Sequence, residues 1–144
     1  FDGFAIGGSL GKTREEMITM LSHIRTELPP EYPVHLLGIG DLPGINATIP
    51  YGIDTFDSSY PTKCARHGML LTNNGHIKIY QGKWKRHFHP ISSAPIVHNY
   101  SAAYIHHLFK AHESTGPMLA TIHNVHFMHE QMRTYRDLIL QDKI

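Results

Sequence analysis

Cysteine is almost missing. Cys64 is the single example in 144 residues, so no disulfide can form within the chain, and a reducing cytoplasm is the expected setting. No apolar run approaches the ~20 residues that a membrane helix needs, which excludes a spanning segment and predicts no membrane partner. An excess of charge is also lacking. Thirteen Lys and Arg against 12 Asp and Glu leave a net charge of +1, so no general basic field points to nucleic acid. Only Lys78 to Arg86 is locally basic, a pattern whose commoner meaning is a solvated loop or hairpin. No internal repeat, low-complexity tract, initiator methionine or charged leader is present. The opening residues Phe1 to Gly8 read directly as a buried strand, and the expectation is a piece of a longer polypeptide.

What is there suits one globular domain: 41% hydrophobic and 17% charged residues, in a length able to bury a core. Thirteen histidines are unusual, but they are scattered and not set at a ligand spacing. After the first strand comes the turn Gly7-Gly8-Ser9-Leu10-Gly11, then Thr13-Arg14-Glu15-Glu16, the form of a capping box. Met17, Met20, Leu21, Ile24 and Leu28 recur at helical spacing until Pro29-Pro30 stops them. Val34 to Gly40 predicts a second strand, with Asp41 capping a helix that carries Leu42, Ile45 and Ile49. Gly52 to Asp57 predicts a third. Strands alternating with helices argue for an α/β fold with a parallel sheet.

Beyond Gly68 the pattern changes. Met69 to Thr72 and His76 to Tyr80, joined by Asn73-Asn74-Gly75, predict an antiparallel hairpin. His87 to Val97 reads as an irregular loop. Asn99 or Ser101 can cap a helix through Phe109, and a longer helix then follows with Leu119, Ile122, Phe127, Met132, Tyr135 and Leu138 or Ile139 on its apolar stripe.

Read together, Gly7-Gly8, Leu36-Leu37-Gly38-Ile39-Gly40, the string Gly52 to Gly68, Asn99 to Ala111 and Thr121-Ile122-His123-Asn124 resemble the tRNA-guanine transglycosylases along essentially the whole chain. The resemblance implies a (β/α)8 TIM barrel, of which residues 1–144 would be the C-terminal part, about its last three βα units. Residues 69–98 would be the small antiparallel subdomain that carries zinc in the family. It further implies replacement of guanine at the wobble position of a tRNA with a GUN anticodon by queuine or a pre-queuosine base. Asp57 would be the nucleophile, forming a covalent ribosyl ester. A carboxylate suits that chemistry, because it can attack a sugar centre with oxocarbenium character and then leave again. Without the surrounding string, Asp57 would read as a helix-capping or salt-bridging aspartate. Asp54 is expected to be structural, paired to a basic group.

By the same resemblance Gly7, Gly8, Ser9 and Leu37 contact the base, and Gly11 makes room for the cyclopentenediol of queuine. Gly38, Ile39, Gly40, Asp41, Leu42, Pro43 and Gly44, with Thr62, Lys63, Cys64, Ala65 and Arg66, contact the tRNA. Lys63 stands where arginine is usual, keeping the charge but losing the bidentate fork.

The family's zinc signature, counted back from Asn99-Tyr100-Ser101, falls on Ser92, Ala94 and Val97, with His123 as the fourth position. Only His123 is a ligand type, so no structural zinc and no other cofactor is expected. The loop from His87 to His98 is expected to be held by packing of Ile91, Pro95, Ile96 and Val97, and His123 to persist as a buried, hydrogen-bonded histidine. The acid/base aspartate of the family lies outside these residues, so the span alone is expected not to turn over. A homo-oligomer is expected. The alternative is a noncatalytic tRNA-binding partner subunit of the same family, against which the intact Asp57 string argues.

Overall fold

The computed structural model describes residues 1–8 and 10–143. Two compact units follow one another along the chain, residues 1–60 and residues 61–144.

The first unit is built from βα pairs. Strand β1 (Phe4–Ile6), helix α1 (Arg14–Glu27), strand β2 (Val34–Leu36), helix α2 (Leu42–Thr48) and strand β3 (Thr55–Phe56) follow in order. All strand pairs are parallel, in the order β1-β2-β3, with Ala5 beside His35 and His35 beside Thr55. The parallel sheet and its alternation with helices match the reading of the sequence. Each strand is shorter than its apolar run, because glycine-rich turns take over the ends.

Thr13 caps α1 by accepting from the Glu16 amide at 3.2 Å, but the return half of the expected capping box is displaced. The Glu16 carboxylate takes the Lys12 amide at 2.6 Å, one residue earlier than the usual partner. Met17 and Leu21 on α1 meet Ile6, Val34, Leu36 and Ile53 in one apolar cluster. Asp54 is structural, as expected, but its partner is not a basic group. Its carboxylate accepts from the Val34 amide at 2.7 Å while its own amide donates to the Val34 carbonyl at 2.9 Å.

The second unit comprises α3 (Tyr60–Arg66, from its second residue onward), strands β4 (Met69–Thr72) and β5 (Gly75–Lys78), α4 (Ala102–Lys110) and α5 (Thr115–Leu140). Strands β4 and β5 form the expected antiparallel hairpin with Thr72 opposite Gly75, so the loop is Asn73-Asn74 alone. Gly75 enters the ladder at φ +98°, a conformation that suits glycine. Ser101, not Asn99, caps α4. Leu70, Ile79, Ala94, Val97, Ile105, Leu108 and Leu119 form the core of this unit.

The outer edge of β4 is closed by side chains. Asn124 of α5, fully buried, accepts from the Leu71 amide and donates to the carbonyls of Met69 and Pro61, each at 2.9 Å. Alternate residues of β4 thus find their outward partners on a helix, where an open strand edge would invite another chain.

Candidate active site

Asp57 follows directly on β3. The parallel ladder of β1 and β2 runs one step past the strands, with the Leu37 amide donating to the Ile6 carbonyl at 2.9 Å. Gly38 then turns at φ +79°, which swings its amide toward Asp57. The Gly38 amide donates to Asp57 Oδ1 at 3.2 Å, and His35 Nε2 lies 3.1 Å from the same oxygen. The Asp57 side chain is 59% exposed. A carboxylate is therefore fixed through one oxygen and presented to solvent through the other.

His35 was not among the residues the sequence singled out. The available signal was a lone histidine inside the apolar run of β2, between buried Val34 and Leu36. Strand alternation puts it on the opposite face from those two, and the parallel register sets it beside Thr55, two residues before Asp57. Thr55 Oγ1 lies 2.8 Å from His35 Nδ1.

The glycines at the strand ends hold close approaches. A side chain on Gly7 would run into Leu37, and one on Gly40 would run into Ser58, beside Asp57. Gly8 has φ +88° and nothing within 4 Å of where a Cβ would stand, so that face is open. Leu37 is exposed. Ser9 lies outside the described residues. Gly11 has its own local reason to be glycine: φ is +87°, and a Cβ would come 2.6 Å from that of Glu16.

Asp41 caps α2 by accepting from the Gly44 amide at 3.1 Å, and the same oxygen takes Arg14 at 2.8 Å. Ile39 and Leu42 are half-buried, Gly40 and Gly44 buried, and Pro43 exposed. On α3, Lys63 and Arg66 are exposed, Thr62 is half-buried, and Cys64 and Ala65 face the core. Arg66 donates to Thr62 Oγ1 at 3.3 Å.

The whole chain, residues 1–144, matches the family described as queuine tRNA-ribosyltransferase. The chain belongs to that family. Among curated relatives, it is 54% identical to a queuine tRNA-ribosyltransferase of Protochlamydia amoebophila (strain UWE25), over all of this chain and 38% of that protein. It is 49% identical to the protein of that name from Chlamydia abortus (strain DSM 27085 / S26/3), again over all of this chain and 40% of the relative. The chain thus spans about two fifths of the length of these relatives.

The transglycosylase zinc positions form a cluster of another kind. His123 is buried at 7% exposure. Its Nε2 lies 2.9 Å from the Leu71 carbonyl and its Nδ1 2.7 Å from Ser92 Oγ. A carbonyl only accepts, so Nε2 carries the proton and Nδ1 of the neutral ring takes the serine hydroxyl. Ser92 Oγ in turn accepts from the Ala94 amide at 3.0 Å. Burial depresses the pKa of His123 below its usual value, with His126 adding to the effect and the bond to Leu71 opposing it. Ala94 and Val97 pack in the apolar core. Three of the four positions thus offer no thiolate or imidazole, and both nitrogens of the fourth are engaged; this donor set does not fit tetrahedral zinc.

Loop packing follows the expectation for Val97 and Ile91, which are buried and half-buried, but not for Pro95 and Ile96. The Val97 amide donates to the Pro95 carbonyl at 2.9 Å, and Ile96 between them has φ 71° and ψ −53°. This is a γ-turn. It turns Ile96 outward, 56% exposed, and Ala94 fills the core position in its place.

Proposed function

We propose that this chain contributes the nucleophile of a tRNA base exchange, in which guanine at the wobble position of a GUN-anticodon tRNA is replaced by queuine or a pre-queuosine base. One observation carries the reading: a strand-end aspartate held through Oδ1 and open at Oδ2, in a chain 54% identical along its whole length to a protein named queuine tRNA-ribosyltransferase. Oδ2 attacks the anomeric carbon of the ribose as the bond to the base breaks, and the base leaves with the electron pair. The incoming base then attacks the same carbon as its ring N–H gives up a proton, matching the one the departed base takes up, and the carboxylate is released. The reacting base must first leave its stack, and the open face at Gly7, Gly8 and Leu37 is the place we assign to it.

Exposed Lys63 and Arg66 supply cations for phosphate, with Thr62 beside them. The strand-to-helix turn from Gly38 to Gly44 is the second tRNA contact. The three parallel strands belong to a (β/α)8 barrel in this reading, with residues 69–98 as an insertion that does without zinc, in a homo-oligomer of the cytoplasm. Among the described residues no helix is long and apolar enough to cross a membrane. The span of residues 1–144 alone does not turn over, since the relatives are more than twice as long.

The test is a covalent adduct. The complete protein is mixed with a GUN-anticodon tRNA, quenched in denaturant and run on a gel. A slow band in the wild type that is lost in Asp57→Asn supports the reading. An adduct that survives Asp57→Asn overturns it, and the absence of any adduct in the wild type favours a noncatalytic tRNA-binding subunit.

A further inference from the structure

The two oxygens of Asp57 are not equivalent. Oδ1 has two partners, the Gly38 amide at 3.2 Å and His35 Nε2 at 3.1 Å, whereas Oδ2 has no hydrogen-bond partner among the described residues. An ionised carboxylate only accepts, so His35 must carry its proton on Nε2. Thr55 Oγ1, at 2.8 Å from Nδ1, satisfies the far side of the ring in either protonation state, donating to the neutral imidazole or accepting from the imidazolium. The ring is thus tied at both nitrogens to the segment that carries the carboxylate. Register explains why: β2 sets His35 between Ala5 of β1 and Thr55 of β3, and Asp57 is the one charged group in contact with it among the described residues.

We infer that His35 is a positioning residue for the exchange proposed above, that it commits Oδ2 to be the attacking oxygen, and that it favours release of the ribosyl ester over its formation. This rests on Asp57 being the nucleophile. When Oδ2 bonds to the anomeric carbon, the carboxylate loses its charge and Oδ1 becomes the ester carbonyl. Hydrogen bonds from Gly38 and His35 stabilise the ionised carboxylate more than the ester, because bonds to charged acceptors are the stronger ones. They therefore make Asp57 a somewhat poorer attacker and a better leaving group. In the second step the incoming base attacks the anomeric carbon, the bond to Oδ2 breaks, and its electron pair returns to a carboxylate that His35 is already placed to receive. A His35 variant without a donor should hold the reaction at the ester.

The experiment measures, in the complete protein, the steady-state fraction of tRNA held as covalent adduct together with the rate of base exchange. His35→Phe should raise the adduct fraction and slow exchange by about tenfold, the scale of one hydrogen bond to a charged group. His35→Gln, whose amide reaches about as far as Nε2 and can donate there, should restore both to within about twofold. A merely structural role would lower the adduct fraction, not raise it. An unchanged or lowered adduct fraction in His35→Phe overturns the inference, as does a failure of His35→Gln to restore it. If His35→Phe proves unfolded by circular dichroism, Thr55→Val carries the test: it frees the ring at Nδ1 and should raise the adduct fraction in the same direction, and no rise overturns the inference. Asp57→Asn run alongside separates the two readings, because an adduct there removes the nucleophile itself, whatever His35 does.

Discussion

Replacing His123 by alanine should destabilise the unit of residues 61–144 by about 3–4 kcal/mol. The substitution removes two hydrogen bonds, to Leu71 and Ser92, each worth about 1 kcal/mol net, and leaves the Leu71 carbonyl without that partner in a desolvated place, a further ~1–2 kcal/mol. His123→Gln retains a donor for Leu71 and should cost only ~1–1.5 kcal/mol. Urea unfolding of the complete protein, followed by circular dichroism, reads both. The pH dependence has a definite sign. His123 titrates below its usual value in the folded state because it is buried. Between that depressed value and about 6.5 the unfolded chain therefore binds a proton that the folded chain does not, and stability rises with pH. The contribution is fully present above about 6.5 and is lost as the pH falls toward the folded value. The difference between wild type and His123→Gln should follow this course. Chelation provides an independent check: structural zinc contributes apparent binding energies of about 10–16 kcal/mol, so an unfolding midpoint that falls in excess EDTA would refute the reasoning. A cost for His123→Ala below about 1 kcal/mol would refute it equally.

Further expectations concern single positions. Asn124→Ala strips partners from Leu71, Met69 and Pro61 and should cost about 3–5 kcal/mol in the same urea experiment. Gln131→Ala, which loses only an exposed bond to Asn73, should stay within about 0.5 kcal/mol. Ile96→Gly relieves a branched side chain at φ 71° that buries little, and should raise stability by roughly 1 kcal/mol in thermal unfolding. Gly40→Ala forces a methyl into Ser58 and should slow adduct formation at neighbouring Asp57 by about 10- to 100-fold in a quench assay at saturating tRNA.

Helix and strand types were legible because periodicity and caps are local. Thr13, Asp41 and Ser101 each cap the helix they precede, and the hairpin follows from its asparagine-rich turn. Strand lengths were not legible: Gly7 and Gly38 follow β1 and β2 with close packing or a positive φ, and Gly52 closes a short helical turn three residues before β3, none of which an apolar run reveals. Asp57 was singled out by its flanking string, but its hydrogen-bond partner was not. His35 is separated from it by 22 residues, and only the strand register brings the two together. Ile96 misled because its side chain is apolar and branched, whereas its backbone turns it to solvent.

The closure of the β4 edge sets an order of events in folding. Strands β4 and β5 meet through a two-residue loop, and a hairpin of that kind forms in about 1–10 μs. The residues that cap its edge, His123 and Asn124, arrive from 52 and 53 positions along the chain, after the loop between them has closed and α5 has formed. During that interval the amide of Leu71 and the carbonyls of Met69 and Leu71 stand bare on a strand of Met-Leu-Leu-Thr. A nascent chain is then most exposed to pairing with a neighbour, and the yield of native protein should fall with concentration during refolding well before the folded protein itself shows any tendency to aggregate.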